Sequence, residues 1–156
     1  MHLWIRSEVR NFEKRVGITP NAVLELISKG FEVTVEESNS RALPIKEYRN
    51  AGANILPSNS WPSAPDHAII FGLKELPENI ETLKHRHIMF GHAYKGQSGA
   101  SALLKRFKNG GGALYDLEYL LKKNGSRIAA FGYWAGFAGA AVSLKVWLHQ
   151  QNNKSP

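Results

Sequence analysis

The stretch TPNAVLELISKGFEVTVE, residues 19–36, contains a helix signal that is followed directly by a strand signal. Thr19 and Pro20 are typical of a helix N-cap and of the first helical turn, and Gly30 is typical of a helix end. The six residues after Gly30 alternate apolar and polar side chains, as a half-buried strand does. Residues 19–36 therefore predict the second half of a strand–helix–strand unit.

The same alternation of elements extends to both sides of this stretch. Residues 2–6 predict the strand before the helix, and the downstream pattern predicts helices at 45–51 and 98–108 and strands at 54–56, 67–73 and 87–90. Repeated strand–helix–strand units are typical of α/β proteins. We therefore expect an open, mostly parallel sheet with helices on both faces, of the Rossmann or flavodoxin-like kind.

The last third of the chain differs in character. Leu114–Glu118 and Arg127–Ala130 predict two strands joined by a turn, and a helix that ends near Gln150 follows. No charge occurs between Ile128 and Leu144, but this run is shorter than the roughly 20 apolar residues that a membrane span needs. The pattern predicts no membrane segment.

Composition limits the classes of function. With 156 residues, of which 43% are hydrophobic, the chain can form one domain with a real core. It has no cysteine, no histidine spacing typical of a metal site and no secretory signal, so we expect no metal and a cytoplasmic location. A net charge of +7 suits a small anionic partner, whereas the basic residues form no stripe with interleaved aromatics, which argues against nucleic acid.

Candidate site residues follow the predicted strands. Open α/β sheets bind ligands at the carboxyl ends of their strands. Basic side chains at those ends could hold carboxylates and offer a proton acceptor, although such residues are commonly just solvated. The candidates at strand ends are Arg15, Lys74, Glu75, His92, Lys95, Gln97 and Arg127.

Four segments of the chain carry a family resemblance. They are FGLKELP at 71–77, HAYK at 92–95, LYDLE at 114–118 and AAFGYWAGFAG at 129–139. In this order they resemble the NAD-dependent, lysine-forming saccharopine dehydrogenases, which are related to alanine dehydrogenase and to the N-terminal region of transhydrogenase. The resemblance also includes RVGITP at 15–20 and extends to about Trp147.

The resemblance implies a role for each matching residue. Lys74 would be the general base that takes the proton of the secondary amine of saccharopine, and His92 would be the acid–base group for hydrolysis of the imine. Glu75 and Glu118 would tune the pKa of the base lysine; the alternative is that both are exposed ion-pair partners. The substrate and its carboxylates would be bound by Arg15, Lys74, Lys95, Gln97, Arg127 and the backbone near Phe131.

The sequence departs from the family in one respect that bears on domain organisation. No Gly-x-Gly-x-x-Gly follows a strand, so the dinucleotide-binding fingerprint is missing. We therefore expect residues 1–150 to be an N-terminal substrate-binding and catalytic domain, 151–156 to begin a linker or tail, and NAD to bind mainly to a domain absent from this chain. Two alternatives remain open: an alanine-dehydrogenase-like domain, or a stand-alone module that binds a polyanion without catalysis. The oligomeric state is left open.

Overall fold

Six strands form one all-parallel sheet within residues 1–152, the part of the chain that the computed structural model describes. The strands are β1 (His2–Ile5), β2 (Glu32–Glu36), β3 (Asn54–Leu56), β4 (Ile69–Phe71), β5 (Arg86–Met89) and β6 (Ala113–Asp116). The helices are α1 (Pro20–Ser28), α2 (Ile45–Asn50), α3 (Ala100–Gly110) and α4 (Gly132–Asn152).

The strand order is β3-β2-β1-β4-β5-β6, so the direction of winding reverses at β1. Crossovers between parallel strands are right-handed, and the reversal therefore places α1 and α2 on one face of the sheet and α3 on the other. This doubly wound arrangement confirms the predicted fold class. It also creates a switch point between β1 and β4, where open sheets of this kind bind their ligands.

The described chain divides into two units, one of residues Met1–Tyr119 and a second that begins at Leu120. The sheet and α1, α2 and α3 belong to the first unit, and α4 belongs to the second. Of the predicted linker or tail, residues 153–156 lie outside the described part, and α4 includes Gln151 and Asn152. No helix among residues 1–152 is both long and apolar enough to cross a membrane.

The ends of α1 follow the sequence signals. The Thr19 hydroxyl accepts a hydrogen bond from the Ala22 N–H at 3.3 Å, and Pro20 occupies the first turn. At the other end Gly30 has a φ of +83°, a left-handed conformation that favours glycine. These local signals explain why both ends of this helix could be predicted.

The predicted second strand at Arg127–Ala130 is wrong. In the structure β6 ends at Asp116, where an Asp116 carboxylate oxygen accepts the Glu118 N–H at 3.0 Å and a 3₁₀ turn follows. The turn around Gly125 is closed by a single antiparallel bridge between Leu121 and Arg127. The chain thus leaves the sheet before a second strand can pair.

A buried carboxylate connects the carboxyl ends of β1 and β2. The Glu36 side chain is fully buried and accepts hydrogen bonds from five donors between 2.6 and 3.0 Å away. The donors are the Trp4 indole, the Ser7 amide and hydroxyl, and the amides of Asn59 and Trp61. A buried charge is tolerated only with such partners, so Glu36 fixes the segment after β3 against the end of β1.

A buried histidine lies in the apolar core beside α3. The His87 ring packs edge-on against Trp61 and Phe107, with ring centroids 5.0 and 5.4 Å apart. Neither ring nitrogen has a hydrogen-bond partner among the described residues. Burial, with a contribution from the charge of Arg6, lowers the pKa of His87 to about 3.

We expect His87 to make the fold sensitive to acid. Because its pKa is lower in the folded than in the unfolded state, protonation of the unfolded chain removes stability as the pH falls below about 6.5. Between about pH 7.5 and about pH 5 this loss should amount to about 2 kcal/mol. Denaturant unfolding at both pH values should show that the difference in the free energy of unfolding between them is correspondingly smaller in His87→Leu than in the wild type. An unchanged pH dependence in His87→Leu would contradict this role.

Candidate active site

Four of the predicted site residues follow neighbouring strands of the sheet at its carboxyl edge. Arg15 lies in the connection after β1, Lys74 follows β4, His92 follows β5 and Glu118 follows β6. These four strands are adjacent in the order β1-β4-β5-β6. The sheet thus brings residues that are far apart in sequence to one edge.

Arg15 is held by a neighbouring carboxylate, Glu13. The Arg15 guanidinium donates to both Glu13 oxygens, at 2.8 and 2.5 Å, and the Arg15 N–H donates to one of them at 3.0 Å. These hydrogen bonds lower the pKa of the Glu13 carboxyl to about 2, and the nearby positive charge of Lys74 acts in the same direction. Glu13 is buried while the Arg15 side chain is about half exposed, so the guanidinium is oriented but still accessible.

A small cavity lies at the switch point between β1 and β4. Its volume is about 20 Å³, which is room for about one water molecule. Charged side chains from three segments line it, namely Arg6, Glu8, Glu13, Arg15 and Arg41.

Lys74 has a fixed backbone and a half-buried side chain. Its N–H donates to the Glu8 carboxylate at 3.0 Å, and its carbonyl accepts a hydrogen bond from the Arg6 guanidinium. The next residue, Glu75, forms an ion pair with Arg10 at 2.7 Å, and both side chains are about half exposed. Partial burial opposes ionisation of Glu75, but hydrogen bonds from backbone and from Arg10 leave the pKa of this carboxyl below its usual value, with the charge of Lys74 contributing.

His92 lines the larger cavity of this edge, with a volume of about 550 Å³. It has a φ of +49°, and its ring stacks on Phe90 with centroids 6.1 Å apart. The first turn of α3 borders the same cavity, so backbone N–H groups at a helix N-terminus lie on its wall. The polar and charged side chains on the wall are Glu75, Glu78, His92, Ser98 and Arg106.

Lys95 and Glu118 form an ion pair across the ends of β5 and β6. The Glu118 side chain is 11% exposed and Lys95 is 48% exposed, so the lysine reaches inward from the surface to a largely buried carboxylate. Gln97 lies two residues further on and is exposed. Arg127 and Phe131 belong to the second unit, where the Arg127 guanidinium donates to the Ala129 carbonyl at 3.3 Å.

No group of three or more His, Asp or Glu side chains within residues 1–152 could hold a metal ion. The described site instead contains basic side chains that pair with carboxylates, as Arg15 does with Glu13 and Lys95 with Glu118. Such an arrangement can bind an anionic substrate and exchange protons with it.

Three charged residues of this edge, Arg6, Glu8 and Glu13, were not among the candidates that the sequence indicated. Arg6 and Glu8 follow β1 closely, and Glu13 precedes Arg15 by two residues. The sequence signal is weak, since only Arg6 comes directly after β1. Arg6 and Glu8 contact residues more than sixty positions away, which no local pattern reveals.

The sequence and the fold are similar to those of known proteins. Saccharopine dehydrogenase [NAD(+), L-lysine-forming] of Schizosaccharomyces pombe is 51% identical over 150 residues, which are 96% of this chain and 41% of that protein. The enzyme of the same name from Candida glabrata is 52% identical over 153 residues, 97% of this chain and 41% of the relative. A transhydrogenase from Sinorhizobium meliloti has the same fold, with a TM-score of 0.62 and 21% identity over 79% of this chain and 36% of that one.

The chain therefore spans about 41% of the length of the relatives that it matches. The family model described as alanine dehydrogenase/PNT, N-terminal domain, matches residues 4–138, which include every predicted site residue and all of the sheet except the first two residues of β1. The resemblance that the sequence motifs suggested is thereby confirmed, and the chain belongs to the alanine dehydrogenase/PNT N-terminal domain family.

Proposed function

We propose that this chain is the N-terminal, substrate-binding and catalytic domain of a saccharopine dehydrogenase, which oxidises saccharopine with NAD and releases L-lysine and 2-oxoglutarate. The observation that carries the proposal is the placement of Lys74 and His92 after the adjacent strands β4 and β5, at the edge where such sheets bind ligands. The identity of about half of all positions to enzymes of that name supports the choice of substrate.

Lys74 is the proposed general base. A hydride can leave the carbon next to the secondary amine only when the nitrogen lone pair is available to form a C=N bond, so the amine must first lose its proton. Lys74 has a half-buried side chain on a fixed backbone, and two carboxylates, Glu13 and Glu75, lie within range of its charge. These carboxylates offset the positive charge that Arg15 brings to the same edge.

His92 is the proposed acid–base group of the second half of the reaction. Hydrolysis of the imine requires a proton acceptor for the attacking water and a proton donor for the departing amine of lysine. A histidine can do both near neutral pH. The cavity of about 550 Å³ around His92 has room for water and for part of a substrate.

The remaining residues are proposed to bind the carboxylates of the substrate. Arg15 and Arg127 can each donate two parallel hydrogen bonds to a carboxylate, which is the geometry that guanidinium groups favour. Lys95, Gln97 and the backbone near Phe131 would complete the contacts. The ion pair between Lys95 and Glu118 supports a role for Glu118 in neutralising this edge until the substrate is bound.

NAD fits poorly at the switch point of the described chain. The connection from β1 to α1, residues 6–19, contains a single glycine, Gly17, and a Cβ there would collide with the Phe71 ring. The cavity beside it holds about one water molecule, far less than a pyrophosphate needs. We propose that NAD, which accepts the hydride, is held mainly by a domain outside this chain, and that the protein acts in the cytoplasm.

Lys74→Met tests the general base in the protein at its full natural length. The substitution keeps an apolar stem and removes the proton acceptor, so kcat for saccharopine oxidation should fall by about 10²- to 10⁴-fold. The fall in rate at low pH that is caused by protonation of the general base should disappear from the pH–rate profile at the same time. A variant with near-normal kcat and an unchanged profile would show that Lys74 only contacts the anion.

Arg127→Ala provides the matched comparison for substrate binding. It removes a carboxylate contact that is made in both the ground state and the transition state, so it should raise KM while kcat changes little. The fall in rate at low pH that is caused by protonation of the general base should remain in this variant. Steady-state kinetics on both variants, with the same preparation of NAD and saccharopine, distinguishes a base from a binding residue.

The 156-residue chain by itself should not oxidise saccharopine. Without a domain that holds the nicotinamide against the substrate carbon, the addition of NAD and saccharopine should produce no NADH. Absorbance of NADH over time, compared with the full-length protein, measures this. Turnover by the chain alone would overturn the proposed division of labour between domains.

A further inference from the structure

Arg6 is a buried arginine directly after β1, and it contacts the segment after β4, residues 72–76, which is called the Lys74 loop. It is 2% exposed, and its guanidinium donates to the Ser7 carbonyl at 2.9 Å and to the Glu8 carboxylate at 3.2 Å. Its other terminal nitrogen donates to the Lys74 carbonyl and, at 3.4 Å, to the Glu75 carbonyl. One side chain of the β1 end thus binds two successive carbonyls after β4.

The Glu8 carboxylate contacts the same loop by accepting hydrogen bonds from two of the loop's backbone N–H groups. One Glu8 carboxylate oxygen accepts the Leu73 N–H at 2.6 Å, and the other accepts the Lys74 N–H at 3.0 Å. The second oxygen also receives the hydrogen bond from Arg6. The Lys74 residue is therefore held at its N–H by Glu8 and at its carbonyl by Arg6, and the two holding groups are bonded to each other.

The neighbouring glycine shows how closely Arg6 fits. A Cβ at Gly72 would collide with the Arg6 guanidinium. The loop can therefore pass over Arg6 only without a side chain at this position. In the sequence this glycine directly follows β4 and precedes Leu73 and Lys74.

Stability alone is a poor explanation for this arrangement. Removing a guanidinium and a carboxylate from water costs so much that apolar residues of similar volume commonly stabilise a fold equally well or better. Burial also lowers the pKa of Arg6, with Glu8 acting in the opposite direction, which shows that the guanidinium is held where solvation is poor. What an apolar pair could not provide is the directed contact with the N–H and the carbonyl of one particular residue.

We propose that the Arg6–Glu8 pair is a positioning device for Lys74: it fixes the backbone of the base so that the Lys74 amine meets the substrate in one geometry. The inference rests on the proposed function for its effect on rate, and it assigns Arg6 and Glu8 no contact with the substrate. A displacement of about 1 Å of a catalytic group can lower a rate by about 10²-fold, so a device of this kind has a measurable effect.

Glu8→Gln tests the pair in the protein at its full natural length. The amide keeps one oxygen for the Leu73 N–H but turns an NH₂ group toward the Lys74 N–H and Arg6. Hydrogen exchange of the 72–76 segment should therefore accelerate about tenfold or more, because a hydrogen bond to a charged group is lost. At the same time kcat should fall by about tenfold to a hundredfold with little change in KM for saccharopine.

Thr34→Val is the matched control. It removes a buried hydrogen bond between the His2 Nε2 and the Thr34 hydroxyl, 2.8 Å apart, which joins β1 and β2 without contact to the Lys74 loop. The stability of this variant should fall while exchange of residues 72–76 and kcat stay at wild-type values. Gly72→Ala supplies a second variant, in which the new Cβ displaces the Arg6 guanidinium. It should reproduce the faster exchange and the lower kcat of Glu8→Gln.

The exchange measurement distinguishes failure of this inference from failure of the proposed function. Wild-type exchange at 72–76 in both Glu8→Gln and Gly72→Ala would overturn the positioning role whatever the enzyme catalyses. Accelerated exchange with unchanged kcat would show that the pair only stabilises the loop and would also overturn it. A wild-type protein inactive on saccharopine would contradict the proposed function and leave the exchange result to be judged separately.

Discussion

A buried carboxylate must receive a hydrogen bond for nearly every lone pair that it takes out of water, and this requirement organises the carboxyl edge of the sheet. Glu36 satisfies it with five donors from β1, from Ser7 just after β1 and from the segment after β3. Glu8 satisfies it with the amides after β4 and with Arg6. The irregular connections at this edge are therefore held by hydrogen bonds to charged side chains in addition to apolar packing, to which Trp61 and Leu76 contribute.

The candidate site therefore contains two groups of residues that differ in solvent exposure. Residues that hold the backbone, such as Arg6 and Glu8, are buried or nearly so, whereas residues that would meet the substrate, such as Arg15 and Lys95, are about half exposed. Buried pairs keep the strand ends in place, and exposed basic groups remain available for carboxylates. Glu118 belongs to both kinds, since it is largely buried and pairs with an exposed lysine.

The sequence predicted the elements that depend on neighbouring residues. The N-cap at Thr19 and the end of α1 at Gly30 are local signals, and the residue pattern located β2 correctly. The expectation that β2 is half-buried was wrong: four of its five residues are buried, because β2 is an interior strand of the sheet. The strand-end positions of Lys74 and His92 followed from the same patterns. The role of Glu8 could not be predicted in this way because its partner Leu73 is 65 residues away. The predicted strand at Arg127–Ala130 failed for the opposite reason: its local pattern suits a strand, but the chain leaves the sheet after Asp116 and offers it only a single bridge.

The most direct test of the central claim is a crystal structure of the full-length protein with saccharopine bound. We expect the secondary amine of saccharopine to lie within hydrogen-bond reach of the Lys74 amine, about 3 Å away, with a carboxylate of the substrate on Arg15. His92 should face the same carbon–nitrogen bond. A complex in which Lys74 contacts only a carboxylate, or in which saccharopine lies away from the carboxyl edge of the sheet, would contradict it.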